Sequence, residues 1–161
     1  MRTSNGKIRN VIVSIYFILI VLAIILATVF SAFNHLTGNP KLTFSLFLFG
    51  FVGLFFLVHW VSKYFEYDSD GVKVVVINRG LLLSDYLNYR EFKVEFDKNK
   101  LKSFVFRNYI IYKSLTLYIK GRNGNVKRVT FNVTLVARKK RKYIRQSLRK
   151  MVKLNRKTES N

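Results

Sequence analysis

Two long stretches without a charged side chain constrain this chain more than any other feature. The first runs from Val11 to Phe33, 23 residues, and the second from Leu42 to Val61, 20 residues. At 1.5 Å per residue, helices over them reach about 34 and about 30 Å, enough to cross a hydrocarbon core of about 30 Å. Between them, residues 34–41 (Asn-His-Leu-Thr-Gly-Asn-Pro-Lys) carry turn-forming Gly, Asn and Pro. The expected arrangement is a two-helix transmembrane hairpin with residues 34–41 as a short external loop. Tyr16, Trp60 and Tyr64 suit interfacial aromatic positions. The competing reading of the first stretch is a cleaved signal peptide, with small residues at Ser31 and Ala32. Length opposes it, because a signal's apolar region has about 7–15 residues. Ser45, Gly50 and Gly53 are expected to pack the hairpin against itself.

Charge divides the chain at the same place. Residues 1–63 hold five cationic side chains (Arg2, Lys7, Arg9, Lys41, Lys63) and no acid. Residues 64–161 hold the other 24 Lys and Arg and all eight acids, a net of +16. The expected division is thus a membrane anchor over 1–63, with spans near 11–33 and 42–61, and a separate domain over 64–161. Cationic residues flank the outer ends of the hairpin, and only Lys41 lies in its loop. The positive-inside rule then puts both termini in the cytoplasm.

Beyond residue 63 the hydrophobic period becomes two. Phe92, Val94 and Phe96 alternate with Lys93 and Glu95. The same pattern recurs at Leu115, Leu117 and Ile119, and at Val129, Phe131 and Val133. These are half-buried strands. Val72–Ile77 reads as a strand buried on nearly both sides, and Leu101–Phe106 as another. Turns are expected at Asp70-Gly71, Asn78-Arg79-Gly80, 97–100 and 121–125. About seven strands at this spacing predict a small antiparallel barrel or sandwich. After Thr134, an expected N-cap, apolar residues at Val136, Tyr143, Ile144, Leu148, Met151 and Val152 mark one face of a helix over about 135–154.

This order of elements resembles the bacterial proteins in which two membrane spans precede a pleckstrin-homology-like (PH-like) domain. The quoted features are the hairpin, the strand pair Phe65–Ile77, the turn at Asn78-Arg79-Gly80, further strands to Val133, and the helix. The expected fold class is membrane-anchored α+β: a two-helix hairpin, then a PH-like β-barrel or sandwich capped by a C-terminal amphipathic helix. The resemblance implies a multi-pass protein of the bacterial inner membrane, a scaffold or lipid-facing module without catalysis.

Catalytic and cofactor chemistry finds little footing. The chain has no cysteine and two histidines, His35 and His59, which the hairpin separates to opposite membrane faces. Glu66-Tyr67-Asp68-Ser69-Asp70-Gly71 partly matches a calcium loop, but Ile77 stands where the bidentate Glu is required. No phosphate-binding glycine motif occurs. Asp85, Glu91, Glu95 and Asp97 sit among cations and read as surface ion pairs. No enzyme activity, cofactor or metal is expected.

The dominant signal is cationic. Residues 134–161 carry 11 Lys and Arg against Glu159. The candidate contact residues for an anionic lipid surface or other polyanion are Arg138, Lys139, Lys140, Arg141, Lys142, Arg145, Arg149 and Lys153. An anionic phospholipid surface is the favoured partner, because the domain starts at the end of the second span and each nearby cation contributes about 1 kcal/mol. Nucleic acid is less favoured, since no recognition motif accompanies the charge. A solvated basic face is the plain alternative. The expected role is a non-enzymatic lipid-surface or protein-interaction module, acting in an assembly with another membrane protein or with itself. The second expectation is a ligand-gated membrane sensor whose β-domain binds a small anionic signal and whose hairpin oligomerises.

Overall fold

The computed structural model describes residues 1–28, 39–80, 91–121 and 124–159. Part of the expected loop (34–38), the end of the first expected span (29–33), Asp85, Arg122, Asn123 and the last two residues lie outside them. The described chain is α+β. Its strands and helices are β1 (Arg2–Ser4), α1 (Arg9–Thr28), α2 (Pro40–Val61), β2 (Lys63–Asp68), β3 (Lys73–Gly80), β4 (Phe92–Asp97), β5 (Leu101–Asn108), β6 (Lys113–Lys120), β7 (Val126–Asn132) and α3 (Arg138–Glu159).

Both α1 and α2 are long and apolar enough to cross a membrane. Asn39 starts α2: its carbonyl accepts from the Thr43 amide at 3.1 Å, and its side-chain oxygen accepts from the Lys41 amide at 3.1 Å. Pro40 takes the first helical position, where a missing N–H costs nothing. Lys41 therefore belongs to the first turn of α2 and not to the loop. The two helices touch through Tyr16 and Phe55, edge to face at 5.0 Å. The expected packing at the small residues is not found at the glycines: a Cβ on Gly50 or Gly53 meets nothing within 4 Å. Large side chains on both helices point outward, and Phe49 is 74 % exposed. A core helix of a water-soluble domain would bury such residues.

The compact units differ from the sequence division at residue 63. Residues Met1–Lys7 and Val61–Asn161 form one unit, and Ile8–Trp60 the other. The reason is β1, which pairs antiparallel with β2 in the register Arg2↔Asp68, Thr3↔Tyr67, Ser4↔Glu66. Buried Asn5 locks the pairing. Its amide donates to the Lys63 carbonyl at 2.9 Å, and its side-chain oxygen accepts from the Phe65 amide at 2.8 Å.

Within the β-unit, the strands form two antiparallel sheets, β1-β2-β3-β4 and β5-β6-β7. The described residues form no closed barrel, because no ladder joins the two sheets. Phe65, Tyr67, Val74, Val76 and Phe96 of the first sheet share one core with Leu101, Leu115, Leu117, Ile119, Val129 and Phe131 of the second. Helix α3 adds Ile144, Leu148 and Met151 to that core, a stripe at i, i+4 and i+7. Tyr143, expected on that stripe, is exposed, and Val136 precedes the helix.

Three local expectations are corrected. Val72 lies in the turn before β3 and is 85 % exposed, and β3 itself alternates, with Val74 and Val76 buried and Val75 and Ile77 half-buried. Asn78, Arg79 and Gly80 are not a turn but the end of β3. Asn78 is held there because its amide donates to the carbonyls of Tyr64 (2.8 Å) and Asn132 (3.1 Å). Thr134 does not cap α3. Its hydroxyl accepts from the Lys113 amide at 2.9 Å, and the helix starts four residues later at Arg138. The expected turn at 97–100 does form, with Lys98–Lys100 as a 3-10 turn. Of the expected turn at 121–125, Arg122 and Asn123 lie outside the described residues, the Gly121 amide donates to the Asn125 carbonyl at 2.7 Å, and Gly124 has φ of 76°.

Candidate anion-binding surface

Hydrogen bonds orient the β-unit end to end. At one end the chain leaves toward residues 8 and 60. There the Val61 carbonyl accepts from the Asn132 amide at 3.4 Å, and Asn5 holds Lys63. The end of β7, the start of β6 and the start of α3 join this junction end. Ser114 pairs with Asn132, and the Val133 amide donates to the Lys113 carbonyl at 2.8 Å. Far from it lie the β2–β3, β4–β5 and β6–β7 turns, since each strand runs between the two ends in alternation.

Helix α3 runs along this axis. Near its start, the Lys140 ammonium donates to the Ser4 carbonyl at 2.6 Å. In its middle, the Ser147 hydroxyl lies 3.0 Å from the Tyr67 hydroxyl. Toward its end, the Asn155 amide donates to the carbonyls of Lys98 (2.8 Å) and Leu101 (2.9 Å) at the far end. From Arg138 to Lys153 this is a rise of about 22 Å.

The eight expected contact residues therefore separate into two groups. Arg138, Lys139, Lys140, Arg141 and Lys142 cluster at the junction end. Arg138, Lys139 and Lys142 are exposed there. Lys140 serves instead as a tie to β1, and Arg141 is half-buried. Burial, with Arg138 and Arg145 close by, pulls the Arg141 guanidinium below its ordinary value. Its Nη1 is buried without a hydrogen-bond partner among the described residues. A desolvated cation with a spare donor favours an arriving anion.

Arg145, Arg149 and Lys153 follow along the helix and face β5, an edge strand of its sheet. A groove of 780 Å³ lies between the two elements. Phe104, Val105 and Phe106 line it from the strand, and Arg145, Arg149, Lys153 and Arg156 from the helix. The Arg145 guanidinium sits over the Phe106 ring at 5.1 Å, a cation–π contact that fixes its direction. Sequence reasoning missed the two phenylalanines and Arg156. The alternation in Phe104-Val105-Phe106 marks a strand, but only the topology reveals that this strand is an edge lying beside α3.

Carboxylates take structural roles. Burial pushes the Glu66 carboxyl up, but hydrogen bonds from the Tyr64 hydroxyl (2.6 Å) and Arg2 (2.7 Å) outweigh it and hold the group below its ordinary value. Glu95 pairs with Lys73 at 3.1 Å, and Asp97 with Lys100 at 2.6 Å. Asp68 turns the chain, accepting from the Asp70 amide at 2.9 Å. No family model matches the chain, and neither a characterised protein nor a solved structure does.

Proposed function

We propose that this protein is a non-enzymatic membrane-anchored module whose β-unit docks its junction end on the anionic headgroups of its own bilayer. The observation that carries the reading is the position of the exposed cations Arg138, Lys139 and Lys142 in the first turns of α3, where Lys140 is tied to Ser4 ahead of α1 and Asn132, shortly before the helix, is tied to Val61 at the end of α2. Because residues 1–7 and 61–161 belong to one unit, α1 and α2 would cross the membrane as a pair, a multi-pass anchor with both ends on one side. The positive-inside rule favours the cytoplasm as that side, and a bacterial inner membrane is what the PH-like resemblance implies. A PH-like ancestry for the β-unit is supported by the order of its elements, antiparallel strands in two sheets followed by a packed C-terminal helix.

With the junction end docked and α3 leading away from it, distance would decide which cations act on the bilayer. Screening limits each to about 8 Å at physiological salt. Arg138–Lys142 spans about 6 Å along the helix axis, whereas Lys153 lies about 22 Å from Arg138. Three exposed cations at about 1 kcal/mol each supply about 3 kcal/mol.

The test uses a soluble form in which a short Gly/Ser linker replaces Ile8–Trp60. The linker is short because Asn5 and Lys63 are hydrogen-bond neighbours. After nuclease treatment, this form should float with anionic vesicles and not with neutral ones. Arg138→Gln, Lys139→Gln and Lys142→Gln together should weaken binding by roughly two orders of magnitude. Equal flotation on neutral vesicles, or no effect of the triple change, contradicts the reading.

A second reading, a sensor for a small anionic signal, is favoured by the groove of Phe104, Phe106, Arg145, Arg149 and Lys153. Thermal stabilisation by inorganic pyrophosphate, abolished by Arg149→Gln with Lys153→Gln, would support it. An unchanged melting temperature would count against it.

A further inference from the structure

The β5–β6 hairpin ends in Tyr109-Ile110-Ile111-Tyr112, closed by the Tyr109 amide donating to the Tyr112 carbonyl at 2.8 Å. Ile110 is 102 % exposed, as open as in a free extended chain, and Tyr109 and Ile111 are also exposed. Turn chemistry favours Gly, Asn and Asp at such a tip, while β-branched apolar residues suit strands. Two isoleucines here are costly in water and contribute nothing to the core. The tip is also braced: the rings of Tyr109 and Tyr112 stack at 6.3 Å with an interplanar angle of 28°.

Its surroundings favour one kind of occupant. Lys113, at the base of the hairpin, is bound through Thr134 and Val133 to the segment leading into α3. Asn108 lines one cavity with Arg138, Lys139, Arg141 and Lys142. The tip thus lies at the junction end, beside the cationic cluster and at the same end as Val61. Arg107 and Lys113 flank it in sequence. An apolar centre, tyrosines beside it and cations around it match the depth profile of a bilayer interface: acyl boundary, headgroup region, phosphate.

We infer that Tyr109–Tyr112 is a finger that inserts Ile110 and Ile111 into the headgroup–acyl boundary of the bilayer carrying the protein. The inference rests on the membrane-anchored reading, and it adds an apolar contact that charge alone does not supply. The finger would set the tilt of the β-unit, with the groove between β5 and α3 rising away from the lipid.

The absence of cysteine allows single reporters in the full chain. Ile110→Cys and, separately, Ile111→Cys would carry an environment-sensitive nitrobenzoxadiazole label in proteoliposomes of zwitterionic lipid with or without phosphatidylglycerol. Asn125→Cys, in the far turn, is the control. The expected result is blue-shifted emission at 110 and 111, with quenching by doxyl-labelled lipid several-fold stronger than at 125. Water-like emission at 110 and 111 in anionic vesicles would overturn the finger, as would a blue shift without doxyl quenching, which marks a protein-covered tip. Energy transfer from the label at 125 to a headgroup acceptor reads docking separately. Transfer sensitive to salt and lipid charge, with no quenching at 110, retains cationic docking and rejects the finger. Quenching at 110 without any such dependence retains the finger and rejects the cationic reading.

Discussion

Helices α2 and α3 are both 22 residues long, and they differ in almost everything else. Helix α2 is apolar on every side and presents large side chains outward, Phe49 among them. Helix α3 has one apolar stripe, Ile144, Leu148 and Met151, sealed against the two sheets, and cations over the rest. Equal length therefore says nothing about environment. What separates the two is whether apolar residues repeat with the helical period or fill the whole circumference. A stripe needs a protein partner, and a full circumference suits a membrane span, which α2 is long and apolar enough to make.

The largest test of that contrast is truncation of the stripe. Leu148 is fully buried, and Leu148→Ala should destabilise the β-unit by about 2–5 kcal/mol in thermal or denaturant unfolding. The same change at exposed Leu46 of α2 should leave β-unit unfolding within about 0.5 kcal/mol. Similar losses at both sites would erase the distinction. A charge probes the opposite direction. Phe49→Lys puts an ammonium near the middle of α2 and should cost about 2.5–3.5 kcal/mol of membrane insertion, read as a fall in the integrated fraction. Added cations on the outer face of α3 are expected to be tolerated. Unimpaired insertion of Phe49→Lys would argue that α2 does not meet lipid at that position.

Smaller effects concern the short strand that separates the β-unit from a simple C-terminal domain. Asn5→Ala removes one buried and one part-buried hydrogen bond between β2 and the end of β1 and should cost about 1–3 kcal/mol, visible as faster hydrogen exchange at Phe65. Acid should loosen the same ladder. Because the folded Glu66 carboxyl titrates below its ordinary value of 4.5, its stabilising bonds to Tyr64 and Arg2 are fully present above that value. They are lost as pH falls through the lower folded one. Glu66→Gln should flatten this acid response in the exchange of β1 amides, and an undiminished response would assign it to other carboxylates.

The strands β4, β6 and β7 and the helix α3 are legible because alternation and helical period act over five or more residues, whereas the dense β-branched run of β3 hides its alternation. The helix start was misplaced because Thr134 has a competing partner, the Lys113 amide, which sequence does not reveal. β1 was invisible for a different reason. Arg-Thr-Ser has no apolar alternation and is a strand only because β2 lies beside it. The eight cations of the expected site were readable as charge, but their separation into a junction-end cluster and a groove along β5 comes from the direction of α3. The finger was missed because Tyr109-Ile110-Ile111-Tyr112 looks like the continuation of a strand until the hairpin closes at that point.

The central claim is that a two-span anchor is inserted between the first two strands of one module. Cysteines at Arg2 and Asp68, directly opposed in the β1–β2 ladder, test it in native membranes. The account predicts a disulfide between them on mild oxidation, because paired strands bring their Cα atoms within disulfide reach. It also predicts that a membrane-impermeant maleimide labels the single changes Arg2→Cys and Asn155→Cys from the same side. Labelling from opposite sides, with no cross-link, would contradict it.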